Sequence, residues 1–571
     1  MTATERVRIE GDTELEKLVN RSRLLGSDPE LVVHGGGNTS SKIVERDHLG
    51  RERRVLRVKG SGTDLKSIGP DGFPGVFLDE ILPLREREIM TDEEMSAYLV
   101  HCMVDPTARR PSIETLLHGF LPAKHVDHTH ADAICALSNN PRSREVIREA
   151  LGDDIAYLPY IRPGFELSRQ VGALGDKRAA VLAHHGLVTW GHTHEESVAV
   201  THELVAQANR YLAEHTRPSP IRDVAAVEGG ALRDLLLRLR GRLSRERARV
   251  LWIDRSQRSL ADRPDVEAVA ASARATPDHV LRIGPWTAVI RSAEEVDAAV
   301  DAYEQQYLAY FERNRTRLPE GLTMLSASPR VILVPGLGCI TAGPDAKTAG
   351  VAAEVAFRSH RVTAQVLDTF GEVRWLNERE IFDIDYWPLE LAKLQSAPVT
   401  PPLGGHIILV AGLGRAPARE IVEHLATLGA HLVLADRDRA AIDAATATVP
   451  AEKLATADAV LSDREGARAA VDRAIDTFGG LDAAVVLGEA DLPALAQAIR
   501  AAFDRQDIEG SLVLVGEVAT AEEREGVRTN AVRNAPNAPG VEVAAAVEYL
   551  ISDDASHVSG CVIPVSSRIA V

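Results

Sequence analysis

Four apolar runs in the last third of the chain, HIILVAGLG, AHLVLADRD, LDAAVVLG and GSLVLVGE, constrain its fold most strongly. They are apolar throughout rather than at every second residue, which is the pattern of strands buried on both faces. Ala-rich helical stretches separate them. Strand and helix alternating in this way give a parallel, doubly wound α/β sheet. The chain has 571 residues, and at ~100–200 residues per domain it holds two or three such units.

Two proline-bearing stretches mark the boundaries. HTRPSPIRD follows residue 214 and SAPVTPPLGG ends at residue 405, and neither carries a periodic apolar pattern. The expected division is therefore 1–225, 226–400 and 401–571. The middle part opens on a Leu/Arg-periodic helix, ALRDLLLRLRGRLSRERARV, and holds strand-like pieces such as HVLRIG and RVILVPGLG. It offers no chemistry that can be named from sequence.

Composition narrows the function classes. The net charge is −18, from 65 basic and 83 acidic residues, and no basic tract stands out. Nucleic acid is not an expected partner. No apolar run is long enough to span a bilayer and the first residues lack an apolar signal core, so neither a membrane nor secretion is expected. Cys102, Cys135, Cys339 and Cys561 are scattered, without metal-binding or disulfide spacing. That usage suits a reducing cytoplasm.

The candidate chemistry lies in the first part. In KHVDHTHADA, His128 and His130 are two residues apart at the end of an apolar stretch. On a strand they share one side and can offer two imidazoles to one ion. VLAHHGLVTWG supplies His184 and His185 at the end of a second strand; the two point to opposite faces, so only one joins easily. His125 has the opposite parity to His128 and is read as structural or as a partner of the ligands. His192 and His194 repeat the spacing but fall at a helix start, where they diverge, and are read as surface residues. His118 lies one helical turn after Glu114.

HGGGNTSSK, VKGSGTDL, PSIETLLHGFLPAKHVDHTHADA, LPYIRPG and HHGLVTWG follow one another in that order. Together they resemble the class II aldolase/adducin family. With the C-terminal pattern, the chain is similar to bifunctional members that join a rhamnulose-1-phosphate aldolase to a short-chain dehydrogenase. The resemblance implies an αβα N-terminal domain followed by a Rossmann-like domain. It implies metal ligands at His128, His130 and His185, which selects between the two neighbouring histidines, and an acid/base at Glu114. Substrate phosphate would meet Asn38, Thr39, Ser40, Ser61, Gly62 and Ser112, with Lys59 and Lys66 nearby. Tyr160 would reach the active site of a neighbouring subunit, implying a homo-oligomer with interface sites. The implied cofactor is a divalent metal, zinc first. The implied reaction is retro-aldol cleavage of a small phosphorylated ketose to dihydroxyacetone phosphate and an aldehyde. The alternatives are a sugar-phosphate epimerase, an NAD-dependent lactaldehyde-type dehydrogenase and a non-catalytic assembly protein.

In the C-terminal part, Gly412 and Gly414 follow the first strand and Asp436 ends the second, about 20 residues on, as in an NAD site. The fingerprint is incomplete, because Ala416 and Pro417 stand where a third glycine opens the helix. Leu487-Gly488-Glu489-Ala490 replaces the family's Asn-Asn-Ala-Gly, and Gly516-Glu517 stands in its catalytic serine region. No tyrosine or lysine lies between Gly510 and Val547. Nine residues between Val518 and Arg528 leave no room for a loop and a helix of ~11–12 residues. The expectation is a degenerate domain without hydride transfer.

Overall fold

The structure is a computed structural model that describes residues 8–566, apart from 272–273, 390, 392–400, 448, 460–462, 489–491, 518 and 522–526. Glu489, Ala490 and Val518, and residues 396–400 of the second boundary, lie outside the described residues.

The N-terminal sheet contains β1 (Asn38–Arg46), β2 (Glu52–Val58), β3 (Gly75–Phe77), β4 (His125–Thr129), β5 (Ile155–Leu158), β6 (Ala179–Leu182) and β7 (Gly186–Gly191). Their order is β3-β2-β1-β4-β7-β6-β5, antiparallel except for β5 with β6. Alternate residues feed two cores. Ala179, Val181 and Leu187 pack with Ile134 and Leu204, whereas Ala180, Leu182 and Val188 pack with Leu117 and Val171. Helices Glu14–Gly26 and His194–His215 cover the first face; Thr115–Phe120 and Phe165–Gly172 cover the second. This is the expected αβα sandwich, and β4 lies at its centre, buried along its whole length.

The middle sheet contains β8 (Val250–Asp254), β9 (Ala288–Val289), β10 (Val331–Val334) and β11 (Gly338–Gly343), in the order β8-β11-β10-β9. Val331 and Leu333 pack against the long helix Ala346–Phe370; Ile332 and Val334 face the opposite core. The long helix starts on an Asp345 cap, whose carboxylate accepts the Thr348 N–H at 2.7 Å. Its second half ties the middle region to the N-terminal domain. Val362 and Val366 join the Ile134 core, and Arg358 and Arg361 each lie 3.2 Å from Asp132.

The C-terminal sheet is wholly parallel: β12 (Ile407–Ala411), β13 (His431–Asp436), β14 (Leu454–Asp458), β15 (Ala483–Leu487), β16 (Ser511–Gly516), β17 (Arg528–Asn534) and β18 (Val562–Val565). Its order, β14-β13-β12-β15-β16-β17-β18, reverses between β12 and β15, the crevice where doubly wound sheets take ligands. The four strands read from sequence are β12, β13, β15 and β16. Helices make the other crossovers, but no helix occurs among the described residues between β16 and β17. The middle region docks here through helix Gly229–Leu243. Its Arg240 is fully buried and holds Asp482 at 2.6 Å and Gln506 Oε1 at 2.8 Å. Among the described residues no helix is long and apolar enough to cross a membrane.

Candidate metal centre

Two strand ends and one helix start meet at the edge of the N-terminal sheet. Val126 and His128 share a face of β4, the one toward the Thr115–Phe120 helix, while His125 and Asp127 face the other way. His130 follows one residue beyond the strand. His185 enters from the β6–β7 turn, where His184 takes a left-handed conformation, φ 57°. Two glycines allow these segments to press together. A Cβ at Gly186 would overlap the Thr129 carbonyl oxygen, and one at Gly37 would lie 2.6 Å from that of His128. His184 itself packs edge-on to Tyr160, 6.5 Å between centroids, outside the cluster.

The three Nε2 atoms converge. His128 lies 3.2 Å from His185 and 3.1 Å from His130. Tetrahedral ligands at ~2.0–2.1 Å from zinc stand about 3.3 Å apart, so these nitrogens fit one ion. Their tautomers fit as well. The Nδ1–H of His128 donates to the Leu187 carbonyl at 3.2 Å, which leaves the Nε2 lone pair toward the cluster. Burial lowers the His128 and His185 imidazoles to about 4 and about 3, so both are neutral near pH 7. Three lone pairs facing one point call for a cation. His128, His130 and His185 form one of two such candidate groups among the described residues.

Glu114 stands beside them at the head of its helix. Its Oε1 is 3.5 Å from His185 Nε2 and its Oε2 is 3.7 Å from His128 Nε2. Asn38 donates to Oε2 at 2.6 Å, while Oε1 is buried without a hydrogen-bond partner. An unpaired buried carboxylate oxygen is costly unless something positive meets it. Burial pushes the Glu114 carboxyl up, but His128, His185 and the Asn38 amide outweigh it and hold the group at about 2. His118 bonds Asn38 and Ser40 rather than Glu114, and so anchors the carboxylate's partner.

The expected phosphate residues divide. Asn38, Ser61, Gly62 and Ser112 line the pocket with Lys59, whose ammonium donates to the Gly35 and Gly37 carbonyls at 2.6 and 2.9 Å. Thr39 and Ser40 do not, because the polar loop already runs as strand β1 at Asn38. Alternation turns Thr39 to Ser22, 2.6 Å away, and Ser40 to His118 at 2.8 Å. Lys66 is exposed and outside the pocket. Tyr160 also departs from expectation. Its ring packs with Tyr307, Phe382 and Trp375 of the middle region, and its hydroxyl is buried without a partner. The phenol oxygen is buried within its own chain, and the ring stays outside the histidine cluster.

Sequence reading missed Asp278. It sits in the first turn of the helix Pro277–Ile283, in the region that offered no chemistry, and its Oδ1 lies 2.9 Å from His130 Nδ1. A carboxylate behind a ligand histidine fixes its tautomer and orientation. Burial opposes the charge on Asp278, but His130 holds it well below the ordinary carboxylate value. Asp278, Leu281 and Trp387 complete the pocket wall from the middle region. The only hint in sequence is a Thr-Pro-Asp helix start.

His194, read as a surface residue, is buried; His192 is exposed. With Glu14 and His125 it makes the second group of possible ligands. Arg21 Nη1 lies 3.1 Å from His194 Nδ1. Guanidinium has only donors, so that Nδ1 accepts and the neutral ring carries its proton on Nε2, facing Glu14. Lys124 pairs with Glu14 at 2.6 Å and Arg21 with Asp127 at 3.0 Å. The group sits in a charge-balanced set behind β4, with Lys124 against Glu14 and Arg21 against Asp127.

In the C-terminal crevice, Gly412 and Gly414 form the turn after β12. Asp436 Oδ2 accepts the Leu413 and Gly414 N–H groups at 2.7 and 3.3 Å. The acid expected to face a ribose accepts from this glycine turn through Oδ2 and from the Asp438 N–H through Oδ1.

Residues 16–212 match the class II aldolase and adducin N-terminal domain, and residues 231–394 match the class II aldolase second domain. Over 500 residues the chain is 34% identical to the uncharacterized oxidoreductase YuxG of Bacillus subtilis (strain 168), spanning 82% of this chain and 72% of the relative. The N-terminal class II aldolase domain of a conserved protein from Thermoplasma acidophilum is 42% identical, covering 37% of this chain and all (100%) of its own, with a TM-score of 0.35. A short-chain dehydrogenase from Bacillus anthracis str. 'Ames Ancestor' is 14% identical over 28% of this chain and 94% of its own, TM-score 0.26.

Proposed function

Since the chain belongs to the class II aldolase/adducin family, in a form joined to a Rossmann-like domain, we propose that it cleaves a phosphorylated ketose or deoxyketose to dihydroxyacetone phosphate and a small aldehyde. The observation that supports this reading most is the meeting of three imidazole Nε2 atoms, with His128 3.2 Å from His185 and 3.1 Å from His130, beside a carboxylate oxygen without a hydrogen-bond partner.

A divalent cation held by His128, His130 and His185 would supply Lewis acidity to the ketose carbonyl and its neighbouring hydroxyl. The chain's own groups supply the rest. Asn38 fixes one oxygen of Glu114, which leaves Oε1 to take and return the proton at the substrate carbon. Ser61, Gly62 and Ser112 would receive the phosphate, with Lys59 contributing charge and holding the glycine loop in shape. Asp278 keeps the His130 ring in register. Tyr160 has no part in this reading.

The C-terminal domain in this proposal transfers no hydride. It lacks the tyrosine and lysine of that chemistry, and Asp436 accepts from the turn after β12. Its service is to hold helix Gly229–Leu243 and thereby the middle region.

The test is a panel of ketose 1-phosphates incubated with zinc-loaded and chelator-treated protein. Metal-dependent release of dihydroxyacetone phosphate supports the proposal. A pentulose isomer without that product makes the protein an epimerase. NADH formation with lactaldehyde overturns the reading of the C-terminal domain.

A further inference from the structure

The middle region has a second cavity of about 400 Å³. Arg249 enters it ahead of β8, Arg282 from the end of the Pro277–Ile283 helix, and Arg330 ahead of β10. Ser326 and Thr348 add hydroxyls, Ser328 donates its own to Glu304 at 3.1 Å, and none of the lining residues is acidic. Among the described residues none of these three arginines is in an ion pair. Arg240, Arg242 and Arg263 of the same region are paired, with Asp482, Asp301 and Asp368 at 2.6, 2.5 and 2.7 Å. Arg330 instead donates to the Leu281 carbonyl at 3.1 Å, which aims it along the cavity wall. Burial, with the neighbouring Arg330 and Arg247 charges, lowers the pKa of Arg249, and Glu246 offsets only part of this.

We propose that this cleft binds the phosphate group of a small molecule. Guanidinium groups lining one cavity with the Ser326 and Thr348 hydroxyls suit the oxygens of a phosphate dianion, and a cavity of this size admits more than the bare ion. The site is separate from the histidine cluster yet coupled to it. Leu281 lines both cavities. Arg282 lies on the short helix that carries Asp278 to His130, and its Nη2 would lie 3.1 Å from a Cβ on Gly35 of the glycine loop. A phosphate drawn onto Arg282 therefore pulls on the element that orients a candidate ligand. The inference does not rest on the aldolase reading.

The experiment is calorimetric titration of the full chain, stripped with chelator so that no metal-bound phosphate contributes, using inorganic phosphate and glycerol 3-phosphate in turn. One site per chain that depends on the cleft is expected, besides any binding at Ser61, Gly62 and Ser112 of the first pocket. Arg249→Gln should weaken it about tenfold or more, and Arg249→Lys by less. Thr348→Val, a change at the rim with little risk to folding, should weaken it severalfold. Circular dichroism checks each variant. The probe that binds more tightly distinguishes free phosphate from a phosphate ester. No binding by the parent, or binding unchanged in the folded Arg249→Gln and Thr348→Val proteins, overturns the proposal.

Discussion

Replacing Asp278 with Ala removes a carboxylate that touches no metal ligand atom directly, yet it should loosen the ion. Asp278 Oδ1 sits 2.9 Å from the Nδ1 of His130, on the far side of the ring from the cluster. Without it, His130 loses the acceptor that keeps its proton on Nδ1, and the ring gains freedom at the pocket edge. Partners of this kind are worth about 10- to 100-fold in metal affinity, or ~1.4–2.7 kcal/mol at 1.36 kcal/mol per decade. Asp278→Asn keeps an acceptor but not the charge and should fall between. The assay is competition for zinc against a chromophoric chelator, with circular dichroism as the control for folding. An affinity unchanged in a folded Asp278→Ala protein would refute the argument that the middle region completes the metal centre.

Glu114→Gln should keep the ion, because the three imidazoles remain, and lower turnover by about 10²–10⁴; metal analysis and a dihydroxyacetone phosphate assay on one sample check both halves. Gly186→Ala drives a methyl into the Thr129 carbonyl oxygen, so thermal unfolding should show a loss of about 1–3 kcal/mol together with weaker zinc binding. Asp482→Asn leaves the buried Arg240 without its charge partner and should cost about 3–5 kcal/mol in urea unfolding. In the parent, burial raises the Asp482 carboxyl but Arg240 outweighs it, and the folded value lies below the ordinary one. The stability it contributes is thus present above the unfolded value, about 4, and fades as the pH falls through the folded one. Urea titrations at pH 7 and again well below pH 4, through the folded value, should show that loss in the parent and much less of it in the variant.

The C-terminal sheet was legible because its strands are apolar end to end, as burial on both faces requires. That no helix stands among the described residues between β16 and β17 accords with the short stretch of chain there. Convergence of His128 with His130 followed from strand parity, but the choice of His185 over His184 needed the resemblance; the structure supplies its reason in the Gly186 contact. Thr39 and Ser40 were misjudged because a glycine-rich loop gives no sign of where a strand begins, and one residue of register decides which way a hydroxyl faces. His194 was misjudged for a similar reason. It does start a helix, but Arg21 meets its Nδ1 at 3.1 Å and Ser197 of the same helix donates to Asp127, so the helix start lies against β4. Asp278 was invisible because its partner is in another domain, and no local pattern records which helix end will face a distant histidine.

X-ray absorption at the metal edge of the zinc-loaded protein bears most directly on the three imidazoles. One ion per chain with three imidazole nitrogens at ~2.0–2.1 Å is the expected result. A protein that retains no stoichiometric ion, or whose ion lacks histidine in its coordination shell, would contradict the account.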